Sequence, residues 1–478
     1  MSKAKHKPDA DFNAFGARTN AAAGRRRFLK AALSTAVVMG MPAPASLAGQ
    51  SDLTVKHTLL ILNPGHFHAG LTLRSRDSRL ADDVFVYAER GPDVENFIRM
   101  VESFNNRVTD PTRWKLHVYR GSDHLDRLRS ERRGDIVVVS GKNDSKMASI
   151  EQLHESGFYV LGDKPWVIDN KNENLMHLVT ATKPLAMDIM TERHQIASRL
   201  QRALAQDAEV FGEFQQNDDE PAIYFKSIHH LYKIVNNRPL IRPQWFFDTK
   251  VQGEGMNDVT THLVDLAQWM TGDDTPFDYQ RDVVLKGARQ WPTAVPLDIY
   301  SKITGLETFP AAVRSHVSNG DLQYLCNAAI EYTLRRIPVQ VESLWNLAIP
   351  EGGGDTHFGV LRGTRAQLVV DQGQDTGFRT RLTVRPVRNG RAYEQAVATT
   401  VGTLQAEFPG TGYEAEGDVY RIQIPDALRT GHETHFAEVL DEFLVYIESG
   451  EWPRQLGPDL VAKYTLLLRA RELSHRTR

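Results

Sequence analysis

The first third of the folded chain alternates short, wholly apolar runs with amphipathic stretches of helical length. Such runs predict buried parallel strands, because a strand covered on both faces shows no polar alternation. Strands that alternate with helices of this length indicate a doubly wound parallel sheet, here from about residue 55 to 190. We expect its strands at 57–62, 83–87, 114–119, 135–140, 158–161 and 185–190, and two of its helices at 148–156 and 174–182.

The pattern changes after residue 190. Prolines exclude a helix from 239 to 245, and beyond residue 275 strand-like runs follow one another with glycine-rich turns such as 352–354 between them. Runs of this kind without regular helices predict a mainly antiparallel sheet. Residues 191–478 are therefore expected to form a C-terminal α+β domain for substrate binding and oligomerisation. Its strands are expected at 222–229, 280–285, 322–332, 339–347, 366–371 and 380–387, and its helices at 196–206, 435–449 and 459–474.

A leader precedes both regions. The basic segment 25–30 is followed by a weakly apolar run, 31–41, and by small residues over 43–48, the order of an export signal with its cleavage sites. The paired Arg25 and Arg26 before Phe28 and Leu29 resemble a twin-arginine signal. A basic tail leading into an N-terminal helix is the alternative. The run is too short and too rich in alanine and glycine to predict a membrane span.

Charge and cysteine content narrow the class of protein. The net charge is −3, but eight of the lysines and arginines lie within residues 1–48, so the remaining chain carries −9. An acidic body argues against nucleic acid or an anionic membrane as partner. Cys326 is the single cysteine, so no internal disulfide can form. The composition fits an exported, periplasmic enzyme held together by its core.

The turn after the first strand is the first candidate site. A dinucleotide fold needs glycine here, so that the backbone can approach a pyrophosphate. The chain keeps the middle glycine of that pattern at Gly65, with Asn63 in the first position and His68 in the last. Glu89, 24 residues after Gly65, stands where a carboxylate would bind ribose hydroxyls, although an exposed turn glutamate would look the same. The expected cofactor-binding residues of these two turns are Asn63, Gly65, His66, Phe67, His68 and Glu89.

A second cluster, Asp163-Lys164-Pro165, directly follows a buried strand. A side chain at the carboxyl end of such a strand points into the crevice where open α/β sheets bind ligands, and the proline stiffens the backbone. A solvated turn lysine is the alternative. These three residues, and Asn143 after the fourth strand, are assigned to cofactor binding.

The third cluster spans residues 253–265. On a helix Asp258 and His262 lie one turn apart on one face, with Asp265 three residues further on. A carboxylate can orient an imidazole, which can then exchange a proton with a substrate hydroxyl or carbonyl. A structural histidine at a helix–helix contact is the alternative reading.

In this order the clusters resemble the family of glucose–fructose oxidoreductase, inositol dehydrogenase and the MocA proteins. The Pro-Gly-His-Phe-His turn, residues 190–193 and Gly253-Glu254-Gly255 resemble a subgroup of oxidoreductases with its own C-terminal domain. The resemblance implies a Rossmann-like domain that binds NAD or NADP. It also implies that Lys164 contacts the reacting hydroxyl, His262 is the acid/base and Asp258 orients the histidine and the substrate. Asp163 stands where that family usually has glutamate.

Further polar and aromatic residues are candidates for substrate contact. Strand-end polarity would explain the histidines among them as well, and Trp245 could fill the core instead of stacking on a sugar ring. His66 and His68, two residues apart, can ligate a metal when both rings converge. The substrate-binding candidates are Arg193, His229, His230, Lys233 and Trp245.

These readings favour an NAD(P)-dependent oxidoreductase acting on a sugar, polyol or related hydroxy compound. Export would require a tightly bound cofactor that is recycled in place, and the twin-arginine export machinery as a partner. One alternative is a redox-neutral enzyme that cleaves glycosides with bound NAD. Others are a metal-dependent hydrolase using His66, His68 and Asp163, or a binding protein on a degenerate nucleotide fold. A sheet with one uncovered face also predicts a homo-oligomer.

Overall fold

The computed structural model describes residues 56–217, 220–235, 238–350 and 352–476, without the side chains of 234, 235, 238 and 239. The predicted export signal over residues 1–48 lies outside the described residues. Within the described ranges, no helix is both long enough and apolar enough to cross a lipid bilayer.

The first sheet is parallel and follows the order β3-β2-β1-β4-β5-β6. Its central strands are wholly apolar and wholly buried, and Leu60 of one lies opposite Val137 of the next. Burial on both faces explains why these runs carry no polar alternation. The predicted doubly wound sheet is therefore confirmed. Its strands are β1 (Leu59–Leu62), β2 (Asp83–Ala88), β3 (Lys115–Arg120), β4 (Ile136–Val139), β5 (Tyr159–Gly162) and β6 (Ala186–Asp188).

A second, larger sheet has the order β10-β12-β13-β7-β14-β15-β16-β18-β17, with β11 beside β12, and β8 and β9 pair separately. All pairs in it are antiparallel except β13 with β7. The predicted mainly antiparallel C-terminal sheet is confirmed. Its strands are β7 (Ile223–Tyr232), β10 (Val283–Val295), β11 (Val317–Ser318), β12 (Asp321–Leu334), β13 (Ile337–Ala348), β14 (Thr356–Arg362), β15 (Ala366–Gln372), β16 (Arg381–Pro386), β17 (Gly412–Glu416) and β18 (Val419–Gln423), and the separate pair is β8 (Ile234–Val235) and β9 (Arg238–Pro239).

The helices cover the sheets and connect them. The helices of the N-terminal part are α1 (His68–Leu71), α2 (Pro92–Asn105), α3 (His124–Glu131), α4 (Lys146–Glu155), α5 (Glu173–Ala181) and α6 (Ile196–Ala205). Those that follow are α7 (Val259–Thr271), α8 (Tyr279–Asp282), α9 (Leu297–Thr304), α10 (Arg391–Leu404), α11 (His432–Ser449) and α12 (Leu456–Arg476).

The helix after β1 is short, and the distant helix α11 covers the part of the sheet that α1 does not reach. α1 has four residues, so it leaves part of one sheet face uncovered. Phe436 and Phe443 of α11 fill that space, packing in one buried cluster with Leu59 and Ile61 of β1. The opposite face of the sheet packs on α4 and α5. The C-terminal part of the chain thus completes the layer around the N-terminal sheet.

Two details of the second region differ from the sequence prediction. The strand expected at 280–285 begins only at Val283, because the carboxylate of Asp278 accepts the backbone N–H of Arg281 (2.9 Å) and starts the short helix α8 instead. The expectation of no regular helix among these strands is also wrong, since α9 and α10 lie between them. Pro296 precedes α9 and Gly390 precedes α10, and both residue types also mark turns.

Gly255, from the Gly-Glu-Gly segment, lies against the backbone of β12. A Cβ at this position would lie 2.4 Å from both the carbonyl carbon and the carbonyl oxygen of Cys326, where only a backbone shift could make room. Gly402 in α10 has open space around its Cα. Substitution of Gly402 can therefore serve as the control for substitution of Gly255.

We expect Gly255→Ala to lower the free energy of unfolding by about 1–3 kcal/mol, because the added methyl group overpacks a rigid contact. Gly402→Ala is expected to leave stability unchanged or raise it by up to about 1 kcal/mol, as alanine does in a helix. The midpoint of denaturant unfolding, followed by circular dichroism, measures both. Equal effects of the two substitutions would contradict the contact with Cys326.

Candidate active site

Asn63 takes the place of the first glycine in the turn after β1. Its φ is +44°, a left-handed conformation that asparagine tolerates better than most residues. Its side-chain oxygen accepts the backbone N–H of Glu89 (2.9 Å), and its amide nitrogen lies 2.7 Å from Nε2 of His124. Asn63 therefore ties the carboxyl ends of β1 and β2 together.

Gly65 has close neighbours, but these are groups of the protein itself. The sequence predicts that a cofactor pyrophosphate approaches the backbone here. Its N–H and that of His66 both donate to the carbonyl of Ser140 (3.0 and 2.9 Å). A Cβ on Gly65 would lie 2.9 Å from the ring of Trp245, whose indole N–H donates to Asp93 (2.8 Å). The structure thus places Trp245 against this turn. Two amides expected to face a pyrophosphate are already hydrogen-bonded.

Asp163, at the end of β5, gathers the side chains around this turn. Its two carboxylate oxygens lie 2.8 Å from Nδ1 of His66 and 2.9 Å from Nδ1 of His68, and Ser140 Oγ donates to it at 3.0 Å. Burial opposes ionisation of Asp163, but the neighbouring histidines hold the pKa of its carboxyl well below the usual value. Burial lowers the pKa of His68 to about 3, so this imidazole is neutral at neutral pH. One ligand atom from each of His66, His68 and Asp163 lies within 4.8 Å of the others.

Asn143, expected to bind cofactor, joins the two regions of the chain. Its side-chain N–H donates to the carbonyl of Gln252 (2.7 Å), and its side-chain oxygen accepts from Lys146 (2.6 Å). The Lys146 ammonium also donates to the carbonyl of Asp163 (2.9 Å). Burial lowers the pKa of Lys146 to about 8.

Lys164, the residue after Asp163, is paired with Asp258. Its Nζ donates to Asp258 Oδ1 at 2.6 Å, and both side chains are nearly buried. Burial would raise the pKa of Asp258, but the charge and hydrogen bond of Lys164 lower it overall. Asp258 is the residue before α7, and Pro165 follows Lys164 through a cis peptide bond. The structure thus brings together two of the predicted catalytic residues.

His262 lies one turn into α7 beside this pair. Among the described residues its Nδ1 is buried without a hydrogen-bond partner. Burial, then the charge of Lys164, lower the pKa of His262 well below the usual value. The imidazole is therefore neutral at neutral pH. Asp258, expected to orient it, has Lys164 as its hydrogen-bond partner.

Arg193 and the buried Asp265 belong to an ion network that joins α7 to neighbouring elements. Arg193 donates two bonds to Asp265, both of 2.7 Å, the paired geometry in which guanidinium binds carboxylate best. Lys463 of α12 contacts Asp265 (2.7 Å) and Asp188 at the end of β6 (2.8 Å). The structure therefore uses Arg193, expected to bind substrate, to fix α7 against the first sheet.

Asp355 contacts three of the other expected substrate residues. Its carboxylate lies 3.3 Å from Nδ1 of His229 and 3.0 Å from Nδ1 of His230, and it pairs with Lys233. The charge of His229 contributes, after that of Lys164, to the lowered pKa of Asp258. Asp355 was missed because its glycine-rich segment reads only as a turn.

His432, at the start of α11, also reaches the crevice. Its ring centroid lies 6.5 Å from that of His68, and its side chain is about half exposed (49%). No local pattern around His432 marked it, because it reaches the site only through the packing of α11 on the first sheet.

The carboxyl edge of the first sheet has one acidic and one basic side chain that are partly exposed. Glu89, at the end of β2, lies 3.6 Å from Nζ of Lys142 after β4, and both side chains are about half exposed. A cavity of about 130 Å³ opens beside the Gly65 turn, with Phe67, Asp93 and Arg242 in its lining. A larger cavity of about 310 Å³, lined by residues such as Tyr324 and His475, contains none of the predicted site residues.

Comparison with known proteins places this geometry in a family. Residues 200–475 match the family described as "Putative oxidoreductase C terminal domain". A crystal structure described as that of a putative oxidoreductase from Parabacteroides merdae ATCC 43184 is 36% identical, with a TM-score of 0.86 over 89% of this chain and 99% of that chain. No curated protein matches the sequence.

Two more distant crystal structures share the fold. GenD2 from gentamicin A biosynthesis, solved with NAD, is 14% identical, with a TM-score of 0.54 over 91% of this chain and 98% of that chain. KijD10, a 3-ketoreductase from Actinomadura kijaniata solved with NADP and TDP-benzene, is 13% identical, with a TM-score of 0.55 over 87% of this chain and 98% of that chain. At these identities the likeness shows the fold alone.

The lowered pKa of Lys146 makes a prediction about stability at alkaline pH. The unfolded chain keeps this lysine protonated up to about pH 10.4, whereas the folded chain releases the proton near pH 8. Between these values the unfolded state binds more protons, so this group makes stability rise with pH. Wild-type protein should therefore gain up to about 3 kcal/mol relative to Lys146→Met between pH 7.5 and 10.5.

Denaturant unfolding at a series of pH values measures this difference. Lys142→Met, which changes a half-exposed lysine four residues earlier, should follow the wild type across the same range. A pH-independent difference between wild type and Lys146→Met would show that Lys146 titrates normally.

Proposed function

This chain belongs to the oxidoreductase family defined by that C-terminal domain, and from this premise we propose that it is an NAD(P)-dependent oxidoreductase. Its substrate is a sugar, polyol or related hydroxy compound, which reacts at a carbon that bears a hydroxyl group. Its cofactor is tightly held and recycled. The observation that carries the proposal is the buried Lys164–Asp258 pair beside His262, at the carboxyl end of β5. Ligands of doubly wound sheets bind at this edge.

The residues at the sheet edge fit a dinucleotide, with one change from the usual cradle. Glu89 is exposed just after β2, where a carboxylate would bind ribose hydroxyls, and its backbone N–H donates to Asn63. The amides of Gly65 and His66 are bonded to Ser140, so they do not serve the pyrophosphate. Lys142 provides a cation at the same edge, and a cation can balance phosphate charge. GenD2 and KijD10, solved with NAD and NADP, support the same cofactor class.

A bound nicotinamide supplies hydride transfer to or from the substrate carbon. The chain supplies the proton chemistry. Lys164 places a positive charge where the hydroxyl loses its proton, and this charge stabilises the developing alkoxide. Asp258 holds the lysine in position through the 2.6 Å bond.

His262 takes up the hydroxyl proton in this scheme, since a neutral imidazole can accept one. No carboxylate hydrogen-bonds its Nδ1 in the described chain, so the imidazolium gains no stabilisation from a partner. The reaction therefore depends strongly on Lys164 to lower the pKa of the hydroxyl. His229, His230 and Lys233 are proposed to contact other hydroxyls of the substrate from the Asp355 side of the crevice. KijD10 is a 3-ketoreductase solved with a nucleotide sugar analogue, which supports a sugar-like substrate.

We also propose that the protein is exported by the twin-arginine route to the periplasm and works there as a homo-oligomer. Arg25, Arg26 and the apolar run behind them support this. Changing both arginines to lysine should retain the protein in the cytoplasm, as cell fractionation would show. Unchanged export of that variant would contradict the route.

The function is tested on protein purified without unfolding. Denaturation should release a nicotinamide dinucleotide, identified by absorbance and mass. With a panel of sugars and polyols, Lys164→Met should retain the dinucleotide and slow hydride transfer by about 100-fold or more, because it removes charge stabilisation in the transition state. His262→Asn should also slow it, by about the 10²–10⁴-fold typical of general acid–base groups.

Lys171→Met is the matched control, since this lysine is 84% exposed and should leave the rate unchanged. Glycoside cleavage without net redox change would identify the redox-neutral variant of the reaction. Release of no nicotinamide, together with no binding of added NAD or NADP, would overturn the proposal.

A further inference from the structure

The cluster around Asp163 has a geometry that the hydride-transfer scheme does not use. Two imidazoles from one short turn approach the same carboxylate through the same ring atom, Nδ1, and each takes a different oxygen. Their three ligand atoms lie within 4.8 Å of one another. We propose that His66, His68 and Asp163 bind a divalent transition-metal ion of the zinc type.

The donor set suits such an ion. Two imidazole nitrogens and one carboxylate oxygen are the protein ligands of one common class of catalytic zinc site, and imidazole also suits other first-row divalent ions. Metal–ligand distances of about 2.0–2.2 Å with near-tetrahedral angles separate neighbouring ligand atoms by roughly 3.4 Å. The present nitrogen–oxygen separations are 2.8 and 2.9 Å. An opening of about half an ångström therefore admits the ion.

The surroundings hold the carboxylate in place, as outer-shell groups of metal sites do. Ser140 Oγ donates to the Asp163 carboxylate at 3.0 Å. The backbone of Asp163 is bonded on both sides: its N–H donates to Val139 (2.8 Å) and its carbonyl accepts from Lys146 (2.9 Å). The ligand side chain itself is 1% exposed.

An ion can reach this site from the crevice. The His66 side chain is 18% exposed and that of His68 is 8% exposed, so the cluster opens on the His66 side. Because His66 and His68 come from the β1 turn and Asp163 from the end of β5, the ion would lie at the carboxyl edge of the first sheet. Lys164 is the next residue along the chain from Asp163.

Three protein ligands leave one tetrahedral position for an outside ligand, as in catalytic rather than structural zinc sites. Water can fill that position. If the proposed function is correct, and this step rests on it, the hydroxyl or carbonyl oxygen of the substrate fills it instead. The ion would then polarise the same oxygen that Lys164 faces.

The test uses full-length protein that is treated with chelator, dialysed and titrated with Zn²⁺ in a calorimeter, with metal content measured after gel filtration. We expect one ion per chain. Titration with Co²⁺ should give the visible absorption of a low-symmetry site. His66→Ala and His68→Ala should each weaken Zn²⁺ binding by more than the roughly 10–100-fold that loss of an outer-shell partner costs.

His117→Ala is the matched control, because His117 is half exposed and contacts a surface carboxylate, Asp83. It should leave affinity and stoichiometry unchanged. Asp163→Asn tests the third ligand, and circular dichroism checks that each variant is folded. If Asp163→Asn fails to fold, the two histidine variants decide the question.

No bound Zn²⁺ in the wild type, or affinity unchanged in both histidine variants, would overturn the metal site. Nicotinamide binding is measured on the same chelated samples. Retained nicotinamide binding without Zn²⁺ binding would refute only the metal site, whereas Zn²⁺ binding without nicotinamide binding would refute only the proposed function.

Discussion

The site depends on two adjacent residues whose side chains make different contacts. After β5 ends, the Asp163 carboxylate takes the imidazoles of the β1 turn, while Lys164 reaches the residue that starts α7. One dipeptide at the end of β5 therefore makes both contacts. Both partners are nearly buried, and an unpaired charge there would be costly. This pairing therefore constrains how α7, and His262 with it, meets the first sheet.

Other buried contacts hold α7 and the first sheet in the same arrangement. The ion network of Arg193, Asp265, Lys463 and Asp188 joins α7 and α12 to the end of β6. α11 covers the sheet face that the short α1 leaves open, and it brings His432 close to His68. The groups proposed to carry the chemistry thus lie on elements held by buried contacts of both sheets, as precise positioning requires.

The sequence predicted the elements well and the partners of their side chains poorly. The apolar runs predicted β1 to β6 because burial on both faces is a local property of the residues. Lys164 and Asp258 were found by motif, and the structure brings them together. Arg193 and Asn143 make structural contacts, with Asp265 and Gln252, that no local pattern contains. Trp245 lies on Gly65 for the same reason: a contact made across 180 residues leaves no periodic signal in the chain.

The central claim is that the substrate carbon and a bound nicotinamide would exchange hydride beside Lys164 and His262, at the carboxyl edge of the first sheet. The most direct measurement is a crystal structure of the full chain with a bound nicotinamide dinucleotide. The account predicts the nicotinamide ring beside Lys164, the ribose on Glu89, and the amides of Gly65 and His66 still bonded to Ser140. A dinucleotide bound with its nicotinamide away from Lys164 and His262 would contradict it.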